Sequence, residues 1–281
     1  MMSIIHKAVI RTFDITDAFE AVDLLYEQGY MSVSCAEVSS GWIVEVLNER
    51  PLDMTDLSLT LSKYGEISID ISELKDEDWL RKCFENFKPI TVGDFYTYGP
   101  HLRGNARPAD KILIEIAAAT AFGTGEHPTT SRCLLACQTF FDYRIHKKVL
   151  DIGCGSGILS IALAKLGARD VTACDNDPEA VRVAIENIKI NKVAHNISIF
   201  QNHGVEFSQN KYDFIVANIL SEPLLAMSQD IVASLNDGGI LVLSGFVTND
   251  KNVEEKYSAL GLIKKFEYSH ARWSTIVFSK Q

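Results

Sequence analysis

The sequence predicts an α/β protein of two domains: a small N-terminal α+β domain and a larger domain with a doubly wound, mostly parallel sheet that ends in an antiparallel strand. Its length of 281 residues fits two domains of unequal size. The first seventy residues follow the order β-α-β-β-α-β, which is typical of the ferredoxin-like fold. From residue 129 onward, short apolar strands alternate regularly with helices, which is the pattern of a doubly wound sheet.

The N-terminal elements follow from local signals. Residues 6–13 alternate as a strand, Asp14 or Thr16 can cap a helix that reaches about residue 28, and Gly29 ends it. The remaining elements are a hairpin of two strands at 31–38 and 42–47, a helix at 51–62 and a last strand at 67–71. We therefore assign a ferredoxin-like domain to residues 1–71, a linker helix to 72–89 and the larger domain to 90–281.

The larger domain begins with short strands and loops over residues 90–121. Its helices are then predicted at 131–143, 158–166, 178–191, 223–235 and about 250–260. Its strands are predicted at 148–152, 170–174, 197–200, 214–217, 240–244, 262–268 and 273–279. The last two strands are hairpin-like, so the sheet is expected to finish with an antiparallel strand.

Composition excludes several classes of function. The chain carries 37 acidic and 27 Lys+Arg residues, a formal charge of −10, and such a protein is poorly suited to binding nucleic-acid phosphates. No apolar run reaches the roughly 18 residues that a membrane span needs. The six cysteines show neither a C-x-x-C pair nor a metal-site spacing. We therefore expect a cytoplasmic monomer without metal, membrane segment or nucleic-acid partner.

The negative charge is concentrated at the N-terminus. Residues 1–70 hold twelve acidic and four basic side chains, so they account for −8 of the total. An ordinary solvated surface explains this distribution, and so does a docking face for a basic protein.

The sharpest motif is V-L-D-I-G-C-G-S-G at residues 149–157, between a predicted strand and a predicted helix. Its glycines, Gly153, Gly155 and Gly157, permit a tight turn and a close ligand, and the following helix supplies N–H donors. A pyrophosphate fingerprint would need glycine at position 158, where the chain has isoleucine. Asp151 also argues against a pyrophosphate and suits a cation, such as the ammonium of a methionine moiety.

Asp175 ends the next predicted strand, 22 residues after Gly153. A carboxylate at this place can accept hydrogen bonds from both ribose hydroxyls, although the segment also reads as an ordinary helix cap before Pro178. Together with the glycine loop, this arrangement resembles the S-adenosylmethionine site of class I methyltransferases.

Asn218 follows an apolar strand, at the edge of the sheet where open α/β folds bind their ligands. Its amide oxygen can accept a hydrogen bond from a substrate amine. The alternative is a strand-end asparagine that satisfies its own turn.

A second loop, A-F-G-T-G-E-H-P-T-T at residues 121–130, precedes the first helix of the sheet region. Thr129 or Thr130 can cap that helix. His127 is either a general base or a loop residue that bonds to backbone. We take the substrate loop to comprise Phe122, Gly123, Thr124, His127 and Thr129.

These motifs together resemble the bacterial ribosomal protein L11 methyltransferases, over nearly the whole chain. The loop at 121–130 and the N-I-L run at 218–220 are far more specific than the glycine loop. The resemblance implies S-adenosylmethionine as the cofactor, held at Thr130, Gly153, Asp175 and Asn218. It also implies methylation of lysine side chains and the N-terminal amine of L11, a basic protein recognised by the N-terminal domain.

A related group methylates lysines of the electron-transfer flavoprotein β subunit and shares the catalytic domain, which makes it the alternative. The ferredoxin-like domain favours the ribosomal substrate. In either case a neutral amine attacks the sulfonium methyl, and we assign Asn218 to orienting that amine.

Overall fold

A computed structural model describes residues 4–12, 14–30, 32–38, 41–48, 50–64, 67–75, 89–117, 127–202, 210–270 and 272–281. The chain divides into two compact units, residues 1–86 and 87–281.

The N-terminal unit has the predicted ferredoxin-like order. Its elements are β1 (Ile4–Thr12), α1 (Ile15–Glu27), β2 (Ser32–Val38), β3 (Gly41–Asn48), α2 (Met54–Thr60), a 3-10 turn (Ser62–Tyr64) and β4 (Ser68–Lys75). The four strands form an antiparallel sheet in the order β2-β3-β1-β4. Because β4 continues to Lys75, the prediction that a linker helix begins at residue 72 is wrong, and residues 76–88 lie outside the described part of the chain.

Alternation along the strands builds the core of this unit. Ala8 and Ile10 of β1 lie opposite Val46 and Val44 of β3, and all four side chains are fully buried. The carboxylate of Asp14 caps α1, as predicted, by accepting a hydrogen bond from the backbone of the helix.

The C-terminal unit opens with a small sheet of β5 (Ile90–Val92), β6 (Phe95–Tyr98) and β7 (Ile112–Glu115). Its further strands are β8 (Lys148–Ile152), β9 (Asp170–Asp175), β10 (Ile197–Gln201), β11 (Tyr212–Asn218), β12 (Leu235–Val247), β13 (Ile263–His270) and β14 (Trp273–Ser279). Its helices are α3 (Pro128–Phe140), α4 (Ile158–Lys165), α5 (Pro178–Ile190), α6 (Ser221–Ala226), α7 (Ser228–Ser234) and α8 (Asn252–Ala259).

The large sheet has the strand order β10-β9-β8-β11-β12-β14-β13. Strands β8 to β12 run parallel, and β14 pairs antiparallel with both β12 and β13. The predicted doubly wound sheet with an antiparallel end is thus confirmed. The strand order reverses between β8 and β11, and a crevice for ligands forms at the carboxyl ends of strands at such a switch point.

The predicted helix at 223–235 is wrong, because it is two helices, α6 and α7, that meet at Met227. The Tyr257 hydroxyl donates to the Leu224 carbonyl at 2.8 Å, and the Ser228 hydroxyl donates to the Leu225 carbonyl at 2.8 Å. Side chains therefore take carbonyls that a continuous helix would pair with its own N–H groups, and the helix bends.

Candidate active site

The glycine loop joins β8 to α4 at the switch point. Gly153, Gly155 and Gly157 all have positive φ, at 68°, 51° and 79°. A Cβ on Gly153 would lie 2.2 Å from the Cγ2 of Ile219, and one on Gly157 would lie 3.1 Å from the Cβ of Ala184. The loop therefore requires glycine for its backbone conformation and for the close approach of its neighbours.

Asp151 lies in β8, two residues before Gly153, and is fully buried. Its Oδ2 accepts hydrogen bonds from the hydroxyl and the backbone N–H of Ser160, at 2.6 and 3.0 Å, which ties the first turns of α4 to β8. Its Oδ1 has no hydrogen-bond partner among the residues that the structure describes. Burial raises the pKa of the Asp151 carboxyl to about 6, so a nearby cation would favour its ionised form.

Asp175 reaches the glycine loop from the end of β9. Its Oδ2 accepts from the N–H of Gly155 at 2.8 Å, and its Oδ1 accepts from the N–H of Asp177 at 3.0 Å. Asp177 is the residue that caps α5, through the N–H of Glu179 at 2.8 Å. Asp175 is therefore not the residue that caps the helix, and each of its carboxylate oxygens retains a lone pair that can accept a hydrogen bond from a ribose hydroxyl.

Asn218 and Thr130 meet on the other side of the switch point. The Nδ2 of Asn218 donates to the Thr130 hydroxyl at 3.3 Å. The Oδ1 of Asn218 is buried and has no hydrogen-bond partner within the described ranges. Because one end of the amide is held, its open oxygen is fixed in orientation as an acceptor.

Ile219, the residue after Asn218, connects Asn218 to the glycine loop. Its side chain packs against the Cα of Gly153, and its backbone lies so close to Gly245 that a Cβ there would come within 2.1 Å of the Ile219 carbonyl oxygen. Gly245 is not among the predicted site residues, because the predicted strand ends at residue 244, whereas the observed β12 continues to Val247. A glycine inside a strand often marks a close backbone approach.

His127, not Thr129 or Thr130, is the cap of α3, so that prediction is wrong. The His127 Nδ1 accepts from the Thr129 N–H at 3.3 Å and lies 2.7 Å from the Thr129 hydroxyl. Its ring packs edge-on against Trp273, with centroids 5.0 Å apart. Burial lowers the His127 pKa to about 4, so the imidazole is neutral at pH 7. In this form its Nδ1 can accept the hydrogen bond from the Thr129 N–H. Thr129 and Thr130 are both buried in the first turn of the helix that it caps.

The remaining predicted loop residues, Phe122, Gly123 and Thr124, lie outside the described residues. Within the part of the chain that is described, no cluster of His, Cys, Asp and Glu is arranged to hold a metal ion. The described helices include no candidate for a membrane span.

These residues fit S-adenosylmethionine. The three glycines of the loop offer backbone without side chains, Asp175 offers acceptors for a ribose, and Asp151, two residues before the loop, has an open carboxylate oxygen. The Asn218 oxygen provides a separate acceptor for a second reactant.

Comparison with known proteins identifies the family. The family model of the ribosomal protein L11 methyltransferase (PrmA) matches residues 11–281. A ribosomal protein L11 methyltransferase from Listeria monocytogenes serotype 1/2a (strain 10403S) is 34% identical over 236 residues, covering 83% of this chain and 74% of that protein. Another from Rhizobium rhizogenes is 38% identical over 223 residues, covering 76% and 74%.

A solved structure agrees with this assignment. The ribosomal protein L11 methylase from Lactobacillus delbrueckii subsp. bulgaricus shares 27% sequence identity, with a TM-score of 0.63, and covers 69% of this chain and 100% of its own. The expected class I methyltransferase fold is thus confirmed. This chain belongs to the ribosomal protein L11 methyltransferase family.

Proposed function

We propose that this protein transfers methyl groups from S-adenosylmethionine to amino groups of ribosomal protein L11. One observation carries the proposal: the open, buried oxygen of Asn218 lies beside the glycine loop and is linked to it through Ile219. An acceptor for an amine and a cradle for a methyl donor therefore lie at the same edge of the sheet.

The cofactor would be held by residues on both sides of the switch point. The glycine loop, with Gly153, Gly155 and Gly157, would face the methionine part. Asp151 would stabilise its ammonium, and Asp175 would accept hydrogen bonds from the ribose hydroxyls. Thr130 and Asn218 would complete the site beside the loop. When bound, S-adenosylmethionine supplies a methyl group that its positive sulfur activates toward a neutral amine.

The amine must lose a proton before it attacks. A lysine ammonium has a pKa of about 10.4, and removal from water disfavours the charged form. Asn218 accepts a hydrogen bond from the neutral amine and aligns it, so most of the rate would come from positioning. His127 is a poor proton acceptor, because its pKa is lowered to about 4.

Recognition of L11 would fall to the helices of the N-terminal unit. Of its basic side chains, Lys7 pairs with Glu45, Arg11 with Asp70, and Lys63 lies 3.5 Å from Glu20. Four acidic side chains cluster at the starts of the two helices: Asp14 and Asp53 are the N-caps of α1 and α2, and Asp17 and Asp56 lie in their first turns. Mutual repulsion contributes there: the pKa of the Asp17 carboxyl is raised by burial and then by Asp14 and Glu20. Such a face suits a basic protein.

The electron-transfer flavoprotein alternative gains no support from the comparisons, since the matching family model and the relatives above are ribosomal protein L11 methyltransferases. A ribosomal substrate also agrees with the expected cytoplasmic location.

A competition experiment tests the choice of substrate. The full chain is incubated with labelled S-adenosylmethionine and an equimolar mixture of purified ribosomal proteins and electron-transfer flavoprotein β subunit. We expect label on L11 alone, identified by mass spectrometry. Label on the flavoprotein subunit would reverse the assignment of substrate, and a lack of cofactor binding by calorimetry would refute the chemistry itself.

A further inference from the structure

The two carboxylate oxygens of Asp151 have different surroundings. Oδ2 accepts both hydrogen bonds from Ser160, from the hydroxyl at 2.6 Å and from the backbone N–H at 3.0 Å. Oδ1 has no hydrogen-bond partner among the described residues, and no basic side chain among them pairs with this carboxylate. Because a buried carboxylate is stable as an ion only when it is paired, Oδ1 is a place for a cation that the described residues do not provide.

The backbone bond from Ser160 has a structural explanation. Gly157 is the N-cap of α4 and has no side chain with which to cap the helix, and the first N–H groups of a helix have no acceptor within it. Ser160 is the third residue of α4, and the carboxylate of Asp151 caps its N–H from the preceding strand. This capping role needs only the N–H, so it does not account for the second, shorter bond from the hydroxyl.

The hydroxyl bond acts on the charge and the orientation of Asp151. Burial raises the pKa of the Asp151 carboxyl to about 6, and the hydrogen bond from the Ser160 hydroxyl opposes that rise, because a hydrogen bond donated to a carboxylate favours its ionised form. Two donors on Oδ2 also restrict the orientation of the carboxylate. Ser160 thus affects both the charge of Asp151 and which of its oxygens is open.

The other titratable groups that the structure places around Asp151 include a second acid. Asp175, at the end of β9, repels the Asp151 carboxylate and so also raises its pKa. The rest are buried or half-buried thiols: Cys133 and Cys137 on α3, Cys154 in the glycine loop and Cys174 on β9. Burial raises the pKa of each thiol, so the thiols stay uncharged between pH 6 and 8 and leave the charge at this place to the two carboxylates.

We propose that Ser160 is a positioning residue for cofactor binding, because its hydroxyl holds Oδ2 of Asp151 and keeps Oδ1 open and charged for the ammonium of S-adenosylmethionine. The inference rests on the proposed function, in which Asp151 stabilises that ammonium. Without the hydroxyl, Asp151 still caps α4 through the N–H of Ser160, but its carboxyl ionises only at a higher pH. Cofactor binding then weakens at a higher pH than in the parent protein as the pH is lowered.

The pH dependence of ligand affinity tests this inference. The full chain and its Ser160→Ala variant are titrated with S-adenosylhomocysteine, which carries the same ammonium, by calorimetry at pH 6 and pH 8. If the substitution raises the pKa of Asp151 by about one unit from about 6, the ionised fraction at pH 6 falls from about one half to about one tenth. We therefore expect the affinity of Ser160→Ala to be about fivefold below that of the parent at pH 6 and within about twofold of it at pH 8. Titration of the ligand itself cancels in the ratio of the two proteins.

Ser228→Ala is the matched control, because it removes another buried serine hydroxyl, which donates to the Leu225 carbonyl at 2.8 Å. It should bind the ligand like the parent at both pH values. If Ser160→Ala does not fold, Ser160→Cys replaces it, because a thiol is only a weak donor. A Ser160 variant whose affinity equals that of the parent at pH 6, or is lower by the same factor at both pH values, would overturn the inference. Absence of ligand binding by the parent would instead refute the proposed cofactor site.

Discussion

At the scale of single residues, the amide of Asn218 has one end held by Thr130 and the other end open. The sequence predicts Asn218 at the edge of the sheet, where its side chain either accepts a hydrogen bond from an amine or hydrogen-bonds within its own turn. The structure gives it no bond to its own turn within the described residues. The role in orienting the amine stays a prediction that mutation can test.

Asn218→Ala should lower methyl transfer at saturating cofactor by about 10- to 100-fold, the value of one lost hydrogen bond in a buried site. Steady-state kinetics with L11 provide the measurement. The control is Ser244→Ala, which alters a buried side chain opposite Asn218 in the next strand and should leave turnover near the parent value. An Asn218→Ala enzyme with full turnover would remove Asn218 from the mechanism.

The lowered pKa of His127 predicts how the stability of the folded protein changes with pH. Its folded-state pKa of about 4 lies below the unfolded value, so its contribution to stability is complete above about pH 6.5 and is lost as the pH falls through about 4. The loss amounts to about 3 kcal/mol, since one pKa unit corresponds to about 1.4 kcal/mol.

His127→Asn isolates this effect, because asparagine is a favoured N-cap that does not titrate. Urea unfolding at several pH values between 4 and 7 measures it. We expect the parent to lose stability relative to His127→Asn as the pH falls. A constant difference between the two proteins across this range would show that His127 is not buried in its neutral form.

At the scale of elements, the glycine loop and the N-I-L segment form one packed unit. Gly153→Ala would push a Cβ into Ile219 and force an alanine into the left-handed region. We expect a loss of cofactor affinity of tenfold or more, since backbone strain of this kind costs about 1–3 kcal/mol.

Gly153→Ala combined with Ile219→Ala separates the two causes. The inserted Cβ would then face the Cβ of residue 219 at an ordinary 3.7 Å. Calorimetry should show part of the lost affinity restored in the double variant. No restoration would mean that the contact with Ile219 is unimportant and that backbone strain alone matters.

Local signals explain which elements the sequence predicts well. The strand at Lys148–Ile152 and the helix start at Pro178 agree with prediction to the residue, because a short apolar run and a proline after a capping aspartate act within a few positions. The break at Met227 depends on the hydrogen bond from the Tyr257 hydroxyl to the Leu224 carbonyl, two residues that are thirty-three positions apart. The hydrogen bond from the Ala117 N–H to the Asn187 Oδ1 joins residues that are seventy positions apart. No local sequence pattern predicts such a contact.

At the scale of the whole molecule, residues 1–70 account for −8 of the formal charge of −10. Three of the four basic side chains in residues 1–70 pair with acids, which leaves the acidic helices α1 and α2 as the proposed face for L11. We therefore propose that the acidic region recognises L11 and that the nearly neutral region carries out catalysis, and mutation can test this proposal.

Neutralising four acids at these helices tests the docking face. Asp14→Asn and Asp53→Asn keep the helix caps, and Asp17→Asn and Asp56→Asn complete the set. We expect a higher KM for L11 and a weaker salt dependence of KM, because fewer charges attract the substrate. Turnover at saturating L11 and cofactor affinity should not change.

The matched control removes four exposed acids from the C-terminal unit: Asp110→Asn, Asp170→Asn, Asp237→Asn and Glu255→Gln. It changes the total charge equally and should leave KM near the parent value. Equal rises in KM for the two sets would point to net charge and not to a docking face.

The central claim is that this protein methylates amino groups of L11 with S-adenosylmethionine. The most direct measurement is the intact mass of purified, unmethylated L11 after incubation with the full chain and cofactor, followed by mapping of the modified residues. The account predicts a mass gain of whole methyl groups, located on lysine side chains or the N-terminal amine. An unchanged L11 mass, with cofactor binding demonstrated in the same sample, would contradict it.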